Sequence, residues 1–552
     1  MFTPAQTRGA GPEIPALQPQ TRGRAALIAA IVVFFLALPL VAVAQHDEHP
    51  MPADFDEPIR LYSNILGTFT RPISSRDPQA QAYFNQGFRL MYAFAKPEAG
   101  RSFREAQRRD PNCAICYWGE AWAWGSYVNG RMTAQQAPRA YAAIQKALSL
   151  AGTHANEKER AFIQAMAKRY VAVFDPSGAR AQDAAYAEAM KRVAERYPDD
   201  LDAATLYGEA AFLLLPRPGA LDIRDSNVLE VLGVLERALA RDIRHPGACH
   251  LYVHTTELTT EPARAERCVA YLGSAMPGAS HLNHMPSHTW SKVGRWGDAV
   301  KASLQAWESD QKSTKGEGIM TYPAHDLQML VFAASMDGQG ALALRAGQGL
   351  ARLARDPTYH ALALVRFGRF DEVATLGARP DGDLSSGMWE FAQGYAQLRR
   401  GDGKSARLAL DRLQAIAGQS KAVFKVHPVK TLLGIVGGIL DGEIRRAAGD
   451  LTGAAAAFER AVSLQDALLI DEPEPLPFAA RHWLGACLLE AGRPADAERI
   501  YSADLARHPH NGWSLIGLKQ ALEAQGKTTR AVDEELRVSW VRADPSIRAS
   551  RF

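Results

Sequence analysis

A register of about 34 residues recurs through this chain, and it constrains the fold more than any other feature. In each unit a Gly stands near position 8, an Ala near 20, an aromatic near 24, an Ala near 27 and a Pro near 32. Tyr83, Gly87, Ala99, Phe103, Ala106 and Pro111 fit one unit; Gly442, Ala454, Phe458 and Ala461 fit another. Gly485, Gly492, Ala497, Tyr501 and Pro509 form a third, which Gly526 and Ala531 continue. Less complete units are anchored by Gly208, by Gly294 with Ala299, and by Gly394 with Gly401 and Ala406. Almost no stretch alternates with period two, whereas Ala, Leu and Arg recur at helical spacing from about residue 79 to 540.

The letters of the register have a physical reading. Small residues at 8 and 20 let the two helices of a hairpin approach closely, the aromatic fills the gap beside them, and Pro stops the second helix. This is the tetratricopeptide pattern. One hairpin cannot bury its apolar face alone, so the units must stack into an all-α, helix-pair solenoid. Its inner surface is lined by the first helix of each pair. The chain has 552 residues, of which 47% are hydrophobic, enough for a continuous core of stacked units. The expected organisation is a leader at 1–44, a linker at 45–78, a solenoid at 79–544 and a tail at 545–552. The charged segment "TTRAVDEELRVSWVRADPS" is expected to cap the stack.

Lys plus Arg number 63 against 60 Asp plus Glu, a formal charge of +3, so no global field recruits nucleic acid. Residues Ala25 to Leu38 form an apolar run preceded by Arg22 and Arg24, too short to span a bilayer, and Ala42-Val43-Ala44 is an A-x-A cleavage site. The reading is an exported, periplasmic or secreted protein whose mature chain starts near Gln45. The alternative is an uncleaved anchor through Val43, the one case in which a membrane is a partner. In an oxidising compartment cysteines tend to pair. Cys113 and Cys116 are spaced C-x-x-C, Cys249 and Cys268 can face each other across a helix pair, and Cys487 is left over as a buried thiol. No βαβ pattern surrounds Cys113, and a structural reading is preferred to a redox one.

Six of the fifteen histidines lie between residues 250 and 325. In "GASHLNHMPSHTW", His281, His284 and His288 fall at positions 2, 5 and 9 when counted from Gly294 and Ala299, all facing the solenoid's inner surface. In "ACHLYVHTTE", His250, His254 and Glu257 form one stripe, and "TYPAHDLQ" puts His325 near the start of the next inner helix. Imidazoles placed on rigid neighbouring helices can hold Cu or Zn. The candidate metal set is therefore His250, His254, His281, His284, His288 and His325, within a His-rich stretch at 248–330. Each could instead be an ordinary solvated groove residue. Pro286 makes His281 the least secure, because the helix either starts near Asn283 or bends there. Glu257 is read as a hydrogen-bond acceptor behind the ligands, a ligand, a general base, or a plain surface carboxylate. Trp118 and Trp122 would line the groove as aromatic contacts, with core packing an equal alternative. The mature start offers His46 and His49, which can also hold Cu. No hydrolase, kinase or dehydrogenase motif stands in a suitable context.

The segments "YFNQGFRLMYAF", "DPNCAICYWGEAWAWG", "YPDDLDAATLYGEA", "HPGACHLYVHTTE", "PGASHLNHMPSHTW", "ALVRFGRFDEV" and "HPHNGWSLIGLKQAL" together resemble a bacterial family of large exported tetratricopeptide repeat proteins. The resemblance covers nearly all of the mature chain. It implies the fold and export but no reaction, and it places His250, His254, His284, His288 and His325 in the family's most characteristic segments. A cysteine before the first repeat is common in such proteins; here Ser74 and Ser75 stand there, so the disulfide that the resemblance implies for Cys113 is left open, with Cys116 as a local alternative. Two functions follow. One is a scaffold that holds a peptide or protein in its groove and carries a transition metal on the histidines. The other is a Cu- or Zn-dependent enzyme acting on a small substrate.

Overall fold

A computed structural model describes residues 55–552. The leader, its cleavage site, His46 and His49 lie outside the described residues. The chain is an α-solenoid of helix pairs, each helix packing chiefly against its neighbours in sequence. Among the described residues the only strands are a two-residue hairpin, Val423–Phe424 with His427–Pro428. No helix there is long and apolar enough to cross a membrane.

The repeat letters act as expected from their sizes. A Cβ placed on Gly87 would lie 2.7 Å from the Phe103 ring, and one on Gly442 or Gly485 would lie 2.4 Å from Phe458 or Tyr501. Position 8 is therefore small because the position-24 aromatic lies flat against its backbone. Asp77, Asp200, Asp225, Asp402, Asp450 and Asn511 cap helices by accepting from backbone N–H groups in the first turn.

Two expectations at the ends of the solenoid are corrected. Residues 55–77 are no loose linker: Phe55, Ile59 and Leu66 are buried, and Ile65 O accepts from Gly278 N at 2.8 Å. Arg71 donates to Asp200 at 3.0 Å and to Asp202 at 2.6 Å, which ties this strap to the fourth helix pair. The C-terminal segment does not cap an open end. The last helices return to the central repeats, with Trp513 Nε1 donating to Ser335 O at 2.8 Å and Trp296 Nε1 to Pro509 O at 2.9 Å. The tail is inserted too: Ser550 is fully buried and donates to His482 O at 2.8 Å.

This closure brings the loop between the helices Leu451–Asp466 and Arg481–Glu490 against the middle of the chain. His508 anchors it, meeting Glu474 at 3.0 Å and Asp504 at 2.9 Å. Burial alone would lower the His508 pKa, but the two carboxylates raise it from 6.5 to about 10. Burial would raise Glu474, but the His508 charge holds it down at about 2 against an ordinary 4.5.

Two stability tests follow. The Glu474 contribution is present above pH 4.5 and lost as pH falls through about 2; the His508 contribution is present below 6.5 and lost as pH rises through about 10. Urea unfolding across pH is therefore expected to show a stability decline between pH 6.5 and 10 that His508→Gln flattens. Gly485→Val, driven into Tyr501, should cost about 1–3 kcal/mol, while Gly152→Ala, with nothing within 4 Å, should be neutral or stabilising.

Candidate metal centre

Three helices supply the site: Pro246–Thr256, Ser280–Lys292 and Pro323–Met336. The first opens on Pro246, with His245 as its cap. His245 Nδ1 accepts from Ala248 N at 3.1 Å, so its Nε2–H points to Asp202 Oδ1, 3.1 Å away. The second starts at Ser280 and runs through Pro286, which packs toward Gly273 on the neighbouring helix Glu266–Ala275. Pro286 does not displace His281, which sits one residue inside the helix. Cys249 and Cys268 form a disulfide between the first of these helices and Glu266–Ala275, and Cys113 pairs with Cys116.

All six histidines are brought together, in two groups of three: His250, His254 and His281, and His284, His288 and His325. Within each group one potential ligand atom per residue lies within 4.8 Å of the others. The groups adjoin, with the rings of His281 and His284 4.7 Å apart and those of His254 and His288 5.9 Å apart. The expectation of an open, groove-facing stripe needs correction. The six are between 0% and 8% exposed, and the Phe94 ring covers the first group at 4.1 Å from His250 and 5.1 Å from His281.

The partners of the ring nitrogens determine what the first group can do. His250 Nδ1 donates to Tyr92 O at 2.7 Å and His254 Nδ1 to Glu257 Oε1 at 2.8 Å. With Nδ1 protonated in each, their Nε2 atoms carry bare lone pairs. These face one another at 3.1 Å, and His281 Nε2 lies 3.0 Å from His250 Nε2. Burial pushes His254 down to about 3, and lowers His250 and His281 as well, with the neighbouring imidazoles adding to the effect. Protonation therefore does not relieve the crowding.

In the second group His284 Nδ1 contacts Asp326 Oδ1, and His284 Nε2 lies 2.9 Å from His288 Nε2. Burial also raises Asp326. His288 Nδ1 is held by Glu257 Oε2 at 2.5 Å and Glu472 Oε2 at 2.7 Å. Burial opposes its charge, yet these two carboxylates raise His288 to about 10. Glu257 thus sits behind both groups, holding His254 with one oxygen and His288 with the other. It is buried, which sets aside the surface-carboxylate reading. A further set, His254, Glu257 and Glu472, also lies close enough to share an ion.

Tyr92, whose carbonyl orients His250, is itself fixed: its hydroxyl donates to Asp202 at 2.5 Å, the carboxylate that Arg71 and His245 also bind. Asp326, Glu472, Tyr92 and His245 were not picked out by sequence reasoning. Asp326 adjoins His325 and could have been noticed; Glu472 lies 184 residues from His288 and offers no local signal.

A cavity of about 840 Å³ opens onto one histidine of each group, His254 and His325, and onto Glu257 and Glu472. Trp118 and Trp122 do not line it. They are 0% and 2% exposed, with Trp118 stacked on Phe88 at 6.2 Å and Trp122 donating to Glu209. Their groove-binding role is replaced by core packing, the alternative reading, because Phe88 and Phe162 pack against them.

No family model and no curated protein matches the chain. Among solved structures it is similar to a human IFIT1 dimer with m7Gppp-AAAA, at 12% identity over 84% of this chain and 90% of that one, with a TM-score of 0.29. It is similar to the yeast Tom70, at 10% identity over 84% and 98% of the two chains and a TM-score of 0.29. A third, the APC/C hetero-tetramer Cut9-Hcn1, gives 12% identity over 85% and 89% and a TM-score of 0.27. Likeness at this level says nothing about ligand or reaction.

Proposed function

We propose that this protein is an exported helical-repeat protein that holds two transition-metal ions, Cu or Zn, side by side. One ion is held by His250, His254 and His281, the other by His284, His288 and His325. The observation that carries this reading is the convergence of the bare Nε2 lone pairs of His250 and His254 at 3.1 Å, their Nδ1 atoms already committed as donors, with His281 Nε2 3.0 Å from His250 Nε2. Two ligands bonded to one ion at ~2.05 Å stand about 2.9 Å apart at a right angle and about 3.3 Å apart in a tetrahedron. The observed spacing falls in that range. Without a cation, the same lone pairs repel one another in a site from which water is excluded.

Glu257 accepts from His254 Nδ1 and Glu472 from His288 Nδ1, the carboxylate–histidine–metal arrangement that sharpens ligand basicity. Export is supported by the apolar run before Ala42-Val43-Ala44 and by the two disulfides, which persist in an oxidising compartment. The repeat scaffold suits a protein or peptide partner on its outer surfaces. A metal-dependent enzyme is the second reading, favoured by one observation: the cavity reaches His254 and His325, so a small molecule there would lie against both centres.

Elemental analysis of the full mature chain, loaded with Cu or Zn and desalted, is expected to give about two equivalents per chain. The double variants His250→Ala/His254→Ala and His284→Ala/His288→Ala should each retain about one, and metal should raise the thermal midpoint of the wild-type chain. A well-folded wild-type chain that takes up neither metal, and whose midpoint neither metal moves, would falsify the reading.

A further inference from the structure

The cavity that opens onto His254 and His325 carries one cation whose charge the protein does not answer. Most charged groups of its wall are engaged. Lys425 Nζ lies 3.0 Å from Asp471 Oδ1, Glu257 and Glu472 hold His288, and Asp356 accepts from Ser385 at 2.5 Å. Arg217 is different. Its Nη1 donates to Val128 O at 3.0 Å and its guanidinium lies 4.7 Å from the Phe212 ring centroid, and no carboxylate among the described residues comes within ion-pair distance. A guanidinium has five donors in a planar fork, and Arg217 lines the cavity with one of them given to Val128 O.

Burial lowers Arg217 from 12.5 to about 10, and the more distant Glu472 and Glu257 charges only partly offset that. The fork is a half-buried cation with unused donors on the cavity wall, a setting that suits a planar carboxylate. The walls beside it are apolar and aromatic, among them Phe212, Leu258, Tyr359 and Phe424. A space of about 840 Å³ is in the range that encloses a drug-sized molecule.

We infer that the cavity binds an organic carboxylate with an aromatic or similarly apolar body, its carboxylate held by Arg217 and its far end directed at His254 and His325. The inference rests on the metal reading for what the far end meets, whereas capture of the carboxylate is a property of Arg217 and the wall alone. The site therefore selects for one negative charge at a fixed distance from the histidines.

Calorimetric titration of the full mature chain with β-naphthoate and with its neutral isostere β-naphthamide tests this, with metal content measured on the same samples. The acid is expected to bind at least about tenfold more tightly than the amide. Arg217→Gln should remove that preference while leaving amide affinity and metal content unchanged, and Arg217→Lys should restore part of it. Equal affinity for acid and amide in the wild-type chain overturns the inference, as does an undiminished acid preference in Arg217→Gln. A preference that survives in protein unable to take up Cu or Zn supports the anion site and overturns the metal reading alone.

Discussion

An imidazole that donates its Nδ1 proton to a fixed acceptor has a single lone pair left, and the direction of that lone pair is then set by the acceptor. The histidine centre depends on this constraint. Tyr92 O orients His250, Glu257 orients His254, and Glu472 orients His288. Those acceptors are themselves held by contacts from distant parts of the chain. Arg71, in the strap before the first helix, binds Asp202, and Asp202 holds the Tyr92 hydroxyl. His508 holds Glu474, two residues from the Glu472 carboxylate that completes the cradle of His288. The two ends of the described chain thus act on the same few ångströms of the interior.

A solenoid is well suited to this. Stacked hairpins repeat a fixed spacing, so residues at equivalent positions of consecutive inner helices arrive side by side. The helix Ser280–Lys292 serves both groups: its first turn gives His281 to one, and the next turns give His284 and His288 to the other. Adjacency of the two centres is therefore a consequence of helical pitch along one element. What converts an inner face into a buried site is the covering: Phe94 from the first hairpin turn, and the 471–474 loop from the far end of the chain.

The repeat was legible because it is written in local terms. Gly87 and Phe103 lie 16 positions apart within one hairpin, and the contact between them recurs in two other units. The histidine stripes were legible for the same reason, since i, i+4 spacing on a helix needs no knowledge of the rest of the fold. Burial was not legible, because it comes from segments that are remote in sequence and irregular in pattern. Glu472 sits in "DEPEPLP", which reads as a loop and nothing more. The strap at 55–77 reads as a linker because Phe55, Ile59 and Leu66 have no helical or strand period. Trp118 and Trp122 were placed in a groove by register alone, and register does not reveal that Phe88 and Phe162 fill the space in front of them.

The charge balance of the proposed centre connects it with the cavity beside it. Bound to metal, all six candidate ligands would be neutral imidazoles, with His288 giving up one of its two ring protons, so two divalent ions would bring four positive charges into a site with little water. Three carboxylates stand directly behind the ligands, Glu257, Glu472 and Asp326. That leaves an excess of one positive charge, or more where Asp326 keeps a proton. A buried excess of this sign is stabilised by an anion, and the opening at His254 and His325 is the direction from which one can arrive. Arg217 on the same cavity adds to the excess and sets where the negative group would stand. Neutral ligands inside, a limited set of acids behind them and Arg217 on the cavity wall would together favour negatively charged small molecules over neutral ones of the same shape.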